Sequence, residues 1–349
     1  MTSAKRNKIA PISIFTMLYI SRIVVSLTNA QSVTTGLLYK PDILISILAA
    51  MGITLVLCVP IVYCYKTNKN PLDIKWLAFF YGIYFVFLAA LNVSRFSYFA
   101  STTFNPDSQA WMFSILIILC SSYCACIGIE GLSRFSSFAF VLLVMTILTM
   151  FFCNLKNYNE VDLYPIIQND TDDIFKNTLL ITSQTSELGV FLCLYKKTNG
   201  DCVKPFIWSI TAAFLTIFLL FVIVIGVMGA SASLHSFPIY TMFQMAKFGS
   251  FERIDILHIS FWIFGIFIKT VLLIYCASIC IKPFKNRVKC IVASVFVLLI
   301  SFVITNAFQS GVMSPVFIAV PFCIFCIVIP IATLIFKKRN FGDELVEKF

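Results

Sequence analysis

The sequence predicts an all-α polytopic membrane protein with about ten transmembrane helices. Of its 349 residues, 60% are hydrophobic and only 12% are charged, which leaves too few polar side chains to cover a soluble globule. Several apolar runs are longer than the roughly 20 residues that a helix needs to cross the hydrocarbon core. We expect helices throughout, because an open sheet would leave backbone groups unpaired in lipid.

Ten apolar segments qualify as spans. We place them at 12–35, 42–65, 76–100, 109–128, 131–153, 175–195, 205–229, 255–281, 288–307 and 315–336. They make up a single transmembrane domain over residues 1–349, with five spans in 1–153, an external loop at 154–174, five spans in 175–336 and a tail at 337–349. Because five is odd, the second set enters the membrane in the opposite sense, which predicts a 5+5 inverted repeat.

The basic residues are distributed unevenly between the two sides of the membrane. Eighteen of the 26 Lys and Arg residues fall in the two termini and in alternate connections, whereas acids prevail in the 154–174 loop on the other side. This bias predicts that both termini are cytoplasmic. The net charge of +10 is therefore mainly a topology signal, and no nucleic-acid partner follows from it.

The sequence offers few residues that could form a catalytic site or a metal site. The 13 cysteines lie almost wholly in predicted spans or on the cytoplasmic side, and the Cys323–Cys326 pair has no second pair to complete a metal site. The chain has two histidines, His235 and His258, both near the predicted outer face. We therefore expect no metal, no cofactor and no catalytic residues.

Polar residues interrupt spans one and six, the first span of each half. Span one reads FTMLYISRIVVSLTNAQSV and span six reads LLITSQTSELGVFLCLY. Paired interruptions of this kind are typical of discontinuous helices whose unwound backbone lines a binding cavity. The alternative is two intact helices that hydrogen-bond to their neighbours through Ser and Thr.

Four ionisable residues lie well inside the spans: Arg22, Arg95, Glu187 and Lys269. Each costs roughly 2.5–3.5 kcal/mol at the bilayer centre, so we expect all four to face protein or water. Arg95 has an alternative, since it lies near the outer end of span three and can extend toward the membrane surface.

Glu187 is the only acid at mid-depth, and three roles remain open for it. It can pair with Lys269 or Arg22, bind the ammonium group of a ligand, or carry a coupling proton. Lys269 is either part of such coupling or a static counter-ion. Ser183 and Gln184 share a face with Glu187 if the helix is intact there.

Two further features suggest gates at the ends of the bundle. Glu130 and Arg134 are four residues apart, which predicts a structural ion pair that organises the inner gate. On the outer side, HSFPIYTMFQMAKFGSF at 235–251 predicts a short helix beginning near Pro238. That helix serves as a lid or simply packs against the outer face.

Four segments resemble one known family. FPIYTMFQMAKFGSFERIDILHISFWIFGIFIKTVLLIY at 237–275, SSYCACIGIEGLSRFS at 121–136, LAALNVSRF at 88–96 and NYNEVDLYPII at 157–167 resemble the endospore germination permeases. These are the B subunits of spore germinant receptors and belong to the amino acid/polyamine/organocation superfamily. The resemblance implies the LeuT-like 5+5 fold, with discontinuous helices 1 and 6.

The resemblance also implies a function and a location. A protein of this kind binds a small germinant, such as an amino acid, nucleoside or sugar, in a central cavity. It acts with an A and a C subunit in the spore inner membrane. One departure is that Val24 and Ser26 occupy positions where many members carry a G-x-G break.

We assign the site on this combined basis. The expected substrate-binding residues are Arg22, Ser26, Thr28, Arg95, Ser183, Gln184, Glu187, Trp262 and Lys269. The expected gating or structural residues are Glu130, Arg134, Glu252, Arg253 and Asp255. Two other functions remain open: a proton-coupled amino acid permease, and a structural subunit that binds nothing.

Overall fold

The computed structural model describes residues 8–27, 40–164, 171–246, 255–281, 286–309 and 316–336. The chain is helical over most of these ranges. The helices are α1 (Pro11–Leu27), α2 (Ile43–Lys66), α3 (Lys75–Phe99), α4 (Ala110–Ile127), α5 (Ile129–Asn154), α6 (Thr171–Ser183), α7 (Glu187–Leu194), α8 (Val203–Met228), α9 (Pro238–Met245), α10 (Asp255–Cys280), α11 (Asn286–Gln309), α12 (Val316–Phe322) and α13 (Ile329–Phe336).

Each predicted span has a helical counterpart. In the described part of the chain, eight helical stretches are long and apolar enough to cross a membrane: α2, α3, α4, α5, α8, α10, α11 and the run from α12 to α13. The shorter apolar helix α1 corresponds to span one, and α6 with α7 corresponds to span six. The outer part of span one, residues 28–35, lies outside the described residues.

The helix α10 occupies the centre of the bundle. It packs against α1, α3, α4 and α5, and among the eight candidate spans it is the most buried. Large apolar side chains of the outer helices face away from the core, for example Val56, Leu116, Phe138 and Val303, all at least 60% exposed. Such a surface is stable only in contact with lipid or another apolar partner.

The helix α1 is continuous through the positions where the family glycines are missing. Val24 is helical and fully buried, and the space for its side chain comes from Gly265 of α10. A Cβ atom on Gly265 would overlap Cγ2 of Val24. A glycine in the partner helix therefore allows the close approach of α1 and α10.

Span six is broken, as predicted. The helix α6 ends at Ser183 and α7 begins at Glu187. Hydroxyl groups in the last turns of α6 bond back to its carbonyls, from Thr178 to Ile174 at 2.8 Å and from Thr182 to Thr178 at 2.7 Å. Bonds of this type bend helices and weaken them.

One prediction from the sequence depended on an intact helix in span six, and the break shows that this condition is not met. Ser183, Gln184 and Glu187 do not share a face of one continuous helix, because the helical path is interrupted between the first and the last of them.

A short backbone bridge ties the beginning of α1 to the end of α7. The amide of Ile9 donates to the Lys197 carbonyl at 2.9 Å, and the amide of Asn199 donates to the Ile9 carbonyl at 3.0 Å. Nearby, the side-chain amide of Asn70 donates to the carbonyl of Leu192 in α7 at 2.9 Å. The beginning of span one and the end of span six are thus joined to each other and to the turn before α3.

The contact between Gly265 and Val24 leads to a first prediction. We expect Gly265→Ala to destabilise the protein by about 1–3 kcal/mol, because the new methyl group overpacks the interface between α1 and α10 and a helical valine has few alternative rotamers. Thermal denaturation in detergent measures the effect.

Two variants serve as controls for this prediction. Adding Val24→Ala should restore most of the lost stability. Gly52→Ala should not destabilise, because nothing lies within 4 Å of its added methyl. If the Gly265→Ala protein is as stable as the unmodified chain, the close contact between Gly265 and Val24 does not contribute to stability.

Candidate functional site

A buried ion pair lies where α1, α7 and α10 meet. The Nζ atom of Lys269 lies 3.1 Å from Oε1 of Glu187, and the two residues are only 3% and 0% exposed. Lys269 also donates to the Ser21 carbonyl at 2.9 Å and to Oγ of Ser186 at 3.3 Å. The Ser21 hydroxyl donates to Oε1 of Glu187 at 2.6 Å. One group of bonds thus connects three helices and the break in span six.

The position of Glu187 suits a carboxylate. It is the first residue of α7, where the unpaired amide groups and the helix dipole favour negative charge. Its Oε1 atom accepts from both Lys269 and Ser21. Its Oε2 atom is buried and has no hydrogen-bond partner in the described part of the chain, so half of the carboxylate remains available to a proton, water or ligand.

Arg22 supports the break in span six and does not pair with Glu187 directly. Its guanidinium donates to the Ile181 carbonyl at 3.2 Å and to Oγ of Ser26 at 3.4 Å, and it lies 4.7 Å from the centre of the Phe214 ring. The Ile181 carbonyl belongs to the last turn of α6, where carbonyls lack helical partners. Arg22 therefore stabilises a backbone group that the break exposes.

A small cavity lies beside the ion pair. Its volume is about 30 Å³, and it is lined by Val25, Leu88, Leu91, Asn92, Arg95, Ser183, Gln184, Ser186, Lys269 and Ile318. This space holds roughly two water molecules and is far smaller than a typical ligand pocket of about 300–1,000 Å³. In this conformation the cavity is too small for such a ligand.

Arg95 faces this cavity. Its side chain is 6% exposed, so it does not extend toward the membrane surface, which was the alternative from the sequence. Asn92, one turn earlier on α3, is fixed by bonds from its amide nitrogen to the Ile266 carbonyl at 3.2 Å and to Oγ1 of Thr270 at 2.9 Å. Two cations, Arg95 and Lys269, and two amides therefore line one buried space.

Trp262 lies outside the cavity, in an aromatic cluster. Its ring centroid is 4.3 Å from that of Phe99 and 5.4 Å from that of Phe96. Phe99 also contacts Phe237 at 4.8 Å and Tyr240 of α9 at 5.3 Å. The predicted short helix α9 is present, and through this cluster it packs over one end of the bundle beside the cavity.

The remaining predicted site residues are divided between several places. Ser183 and Gln184 line the cavity. Glu130 and Arg134 form the expected i,i+4 ion pair at 2.8 Å, with exposed side chains. Thr28, Glu252, Arg253 and the side chain of Asp255 lie outside the described residues.

Sequence reasoning left three polar residues out of the predicted site: Ser21, Asn92 and Ser186. A usable signal existed for Asn92, which precedes Arg95 by three residues and so shares its helical face. Ser21 contributes through its backbone carbonyl as well as its hydroxyl. No side-chain pattern can indicate that carbonyl contact.

Metal binding finds no support in the described ranges, where no three His, Cys, Asp or Glu residues are grouped to hold an ion. All 13 cysteines are free thiols, and eight of them are buried. Several buried thiols pack in the core between helices, as small apolar residues do.

The fold is that of a LeuT-type transporter. Over 96% of this chain and 93% of the other, it is similar to a Na+-coupled sialic acid symporter in a substrate-bound, outward-open state, with 12% identity and a TM-score of 0.62. Over 87% of this chain and 76% of the other, it is similar to Mhp1, a nucleobase-cation-symport-1 family transporter in a closed conformation, with 14% identity and a TM-score of 0.53. These likenesses show the fold that the chain shares with the two transporters.

The chain belongs to the spore germination protein family. The family model matches residues 8–311, which include the ion pair, the break in span six and every residue that lines the cavity except Ile318. No curated protein sequence matches the chain.

The ion pair leads to a second prediction. We expect Glu187→Gln and Lys269→Met each to destabilise the protein by about 3–5 kcal/mol, because each leaves one buried charge without its partner. The double variant should be less destabilised than the sum of the two single variants, and thermal denaturation of all three in detergent measures the coupling.

The surface pair provides the control. Glu130→Gln breaks the exposed pair with Arg134 and should cost at most about 1 kcal/mol. Strictly additive effects of the two buried substitutions would contradict an energetic link between Glu187 and Lys269.

Proposed function

We propose that this protein is the integral-membrane B subunit of a spore germinant receptor. It binds a small nutrient germinant in the central cavity and signals to A and C subunits to start germination. It is a multi-pass protein of the spore inner membrane, with both termini cytoplasmic. Support comes from the family membership over residues 8–311, the transporter-like fold and the distribution of Lys and Arg.

The cavity at the break in span six is the observation that carries this proposal. Arg95 and Lys269 supply positive charge there, and Asn92 and Gln184 supply amide groups. A guanidinium binds a carboxylate through two parallel hydrogen bonds. The amide oxygens can accept from an ammonium group, so the chemistry of the cavity suits an α-amino acid.

Glu187 is a poor first contact for the ligand's ammonium group. Its Oε1 atom is already bonded to Lys269 and Ser21, and it does not line the cavity. A ligand ammonium would have to displace Lys269 to reach Oε1, and Oε2 is not part of the cavity lining. In this mechanism Glu187 keeps Lys269 in place, and Arg95 meets the ligand.

Ligand binding requires the cavity to widen, because about 30 Å³ cannot hold an amino acid. The widening moves the broken span six relative to α3 and α10, which supply the opposite wall. The bridge between Ile9 and Lys197 then carries this movement to the inner end of α1. A germinant that binds only the widened form shifts the population toward it.

A proton-coupled amino acid permease is the second candidate. It is favoured by the unpartnered Oε2 atom of Glu187 beside the buried ammonium of Lys269. A proton on Oε2 would neutralise the carboxylate and weaken its hold on Lys269. Exchange between the two states can open the site to alternate sides.

The third prediction concerns Arg95. We expect Arg95→Gln to weaken amino acid binding by about 10- to 100-fold, since a charge-assisted hydrogen bond to a carboxylate contributes about 1.5–3 kcal/mol. Equilibrium binding of a panel of labelled amino acids to the purified receptor complex measures the change.

Arg134→Gln, which removes an exposed arginine, serves as the matched control and should bind normally. Equal binding by the Arg95 and Arg134 variants would rule out the cavity as the site. If no candidate germinant binds the unmodified complex, the protein is better described as a structural subunit.

The fourth prediction separates sensing from transport. We expect vesicles that contain the receptor complex to bind the germinant without accumulating it, because a receptor needs only the change in shape. Uptake of the labelled amino acid is followed with and without an imposed proton gradient. Accumulation that depends on the gradient and disappears in Glu187→Gln would show that the protein is a proton-coupled permease. It would overturn the proposal of a receptor that binds the germinant without transporting it.

A further inference from the structure

A second cavity lies at the inner end of the bundle, remote from the ion pair. Its volume is about 290 Å³, close to the lower limit for small-molecule pockets. It is bounded by residues 125–130 at the junction of α4 and α5, by Tyr275 of α10, by Lys289 of α11 and by Lys197 in the turn after α7. We refer to this cavity as the basic vestibule.

The junction of α4 and α5 forms one wall of the basic vestibule. Gly128 joins the two helices with a φ of 113°, a conformation that favours glycine. A Cβ at this position would meet nothing within 4 Å. The helix α5 begins without a side-chain cap, and Ile129 and Glu130 of its first turn line the cavity.

The charge in the basic vestibule is mainly positive. Lys197 and Lys289 are half-buried, and neither forms an ion pair within the described ranges. The one acid in the lining, Glu130, is bound to Arg134 at 2.8 Å. Two unpaired ammonium groups and the Tyr275 side chain therefore border a concave space, where a bound anion is partly shielded from water.

We propose that the basic vestibule binds a small soluble anion that carries a phosphate or carboxylate group. Lys197 and Lys289 provide the charge, and the hydroxyl of Tyr275 provides a neutral donor. The size and enclosure of the cavity favour a small molecule over a peptide. This site is separate from the central cavity and does not depend on the proposed germinant function.

The position of the site gives such an anion a structural effect. Lys197 belongs to the segment whose backbone pairs with Ile9, next to α1, and follows α7. Lys289 belongs to α11, and Tyr275 belongs to α10. A bound anion contacts both the paired segment and the surrounding helices, and so holds the inner end of the bundle closed.

The test uses the full-length protein in nanodiscs of zwitterionic lipid, with inorganic phosphate and citrate as probes. We expect both anions to raise the thermal denaturation temperature, and glycerol at equal concentration not to do so. Lys197→Gln and Lys289→Gln should each weaken phosphate binding by about tenfold. Glu130→Gln should strengthen it, because it removes the one negative charge among the described lining residues.

Lys204→Gln is the matched control, since Lys204 is an exposed residue of α8 that does not line the basic vestibule. Phosphate binding that falls equally in Lys204→Gln, or that persists in the Lys197 and Lys289 variants, would overturn the proposal. An absence of any shift with phosphate and citrate would overturn it as well.

A second measurement locates the anion without any substitution. Cys126 lines the basic vestibule, whereas Cys153, near the opposite end of α5, does not line it. Phosphate should slow the labelling of Cys126 by N-ethylmaleimide and leave the labelling of Cys153 unchanged, as measured by mass spectrometry of the peptides. Equal rates at Cys126 with and without phosphate would contradict occupancy of the basic vestibule.

Nanodiscs that contain phosphatidylglycerol distinguish the source of the phosphate group. We expect free phosphate to protect Cys126 equally in both kinds of nanodisc. Protection of Cys126 by phosphatidylglycerol alone would overturn the proposal of a soluble anion and indicate that a lipid headgroup occupies the basic vestibule.

Discussion

The bond between Lys269 and Glu187 is the interaction on which the arrangement of this protein depends. A single charge in the interior of a membrane bundle is costly, and an opposite charge within hydrogen-bond distance offsets that cost. Here the two charges come from α10, the central helix, and from the first residue of α7. Ser21 adds α1 to the same group of bonds. Three helices that are distant in sequence are therefore fixed relative to one another at one buried point.

The break in span six follows from the same set of constraints. Hydroxyls bonded back to the backbone weaken the end of α6, and Arg22 satisfies a carbonyl that the break exposes. The interruption in turn places Glu187 at a helix start, where a carboxylate is favoured. Unwound backbone is tolerated in a membrane protein only where it is covered by protein or lines a cavity, and this break does both.

The two ends of the bundle differ in chemistry. At one end, the aromatic side chains of Trp262 and Phe99 pack against each other next to α9. The other is joined by backbone bonds between Ile9 and the segment after α7, next to a cavity bordered by lysines. Packing between rings at one end and backbone hydrogen bonds beside two lysines at the other are different kinds of contact. The central ion pair lies between them and is connected to both through α10 and α7.

The sequence by itself determined the class of fold, the ten spans, the position of the break and the four buried charges, because each follows from hydrophobicity and from the cost of polar groups in lipid. It left open the partner of Glu187, the direction of Arg95 and the role of Arg22. Only the tertiary structure decided these points: Lys269 pairs with Glu187, Arg95 faces the cavity, and Arg22 binds a carbonyl of α6. The physical reason is that such contacts depend on how distant helices pack, and on backbone atoms such as the Ser21 carbonyl that carry no sequence signal.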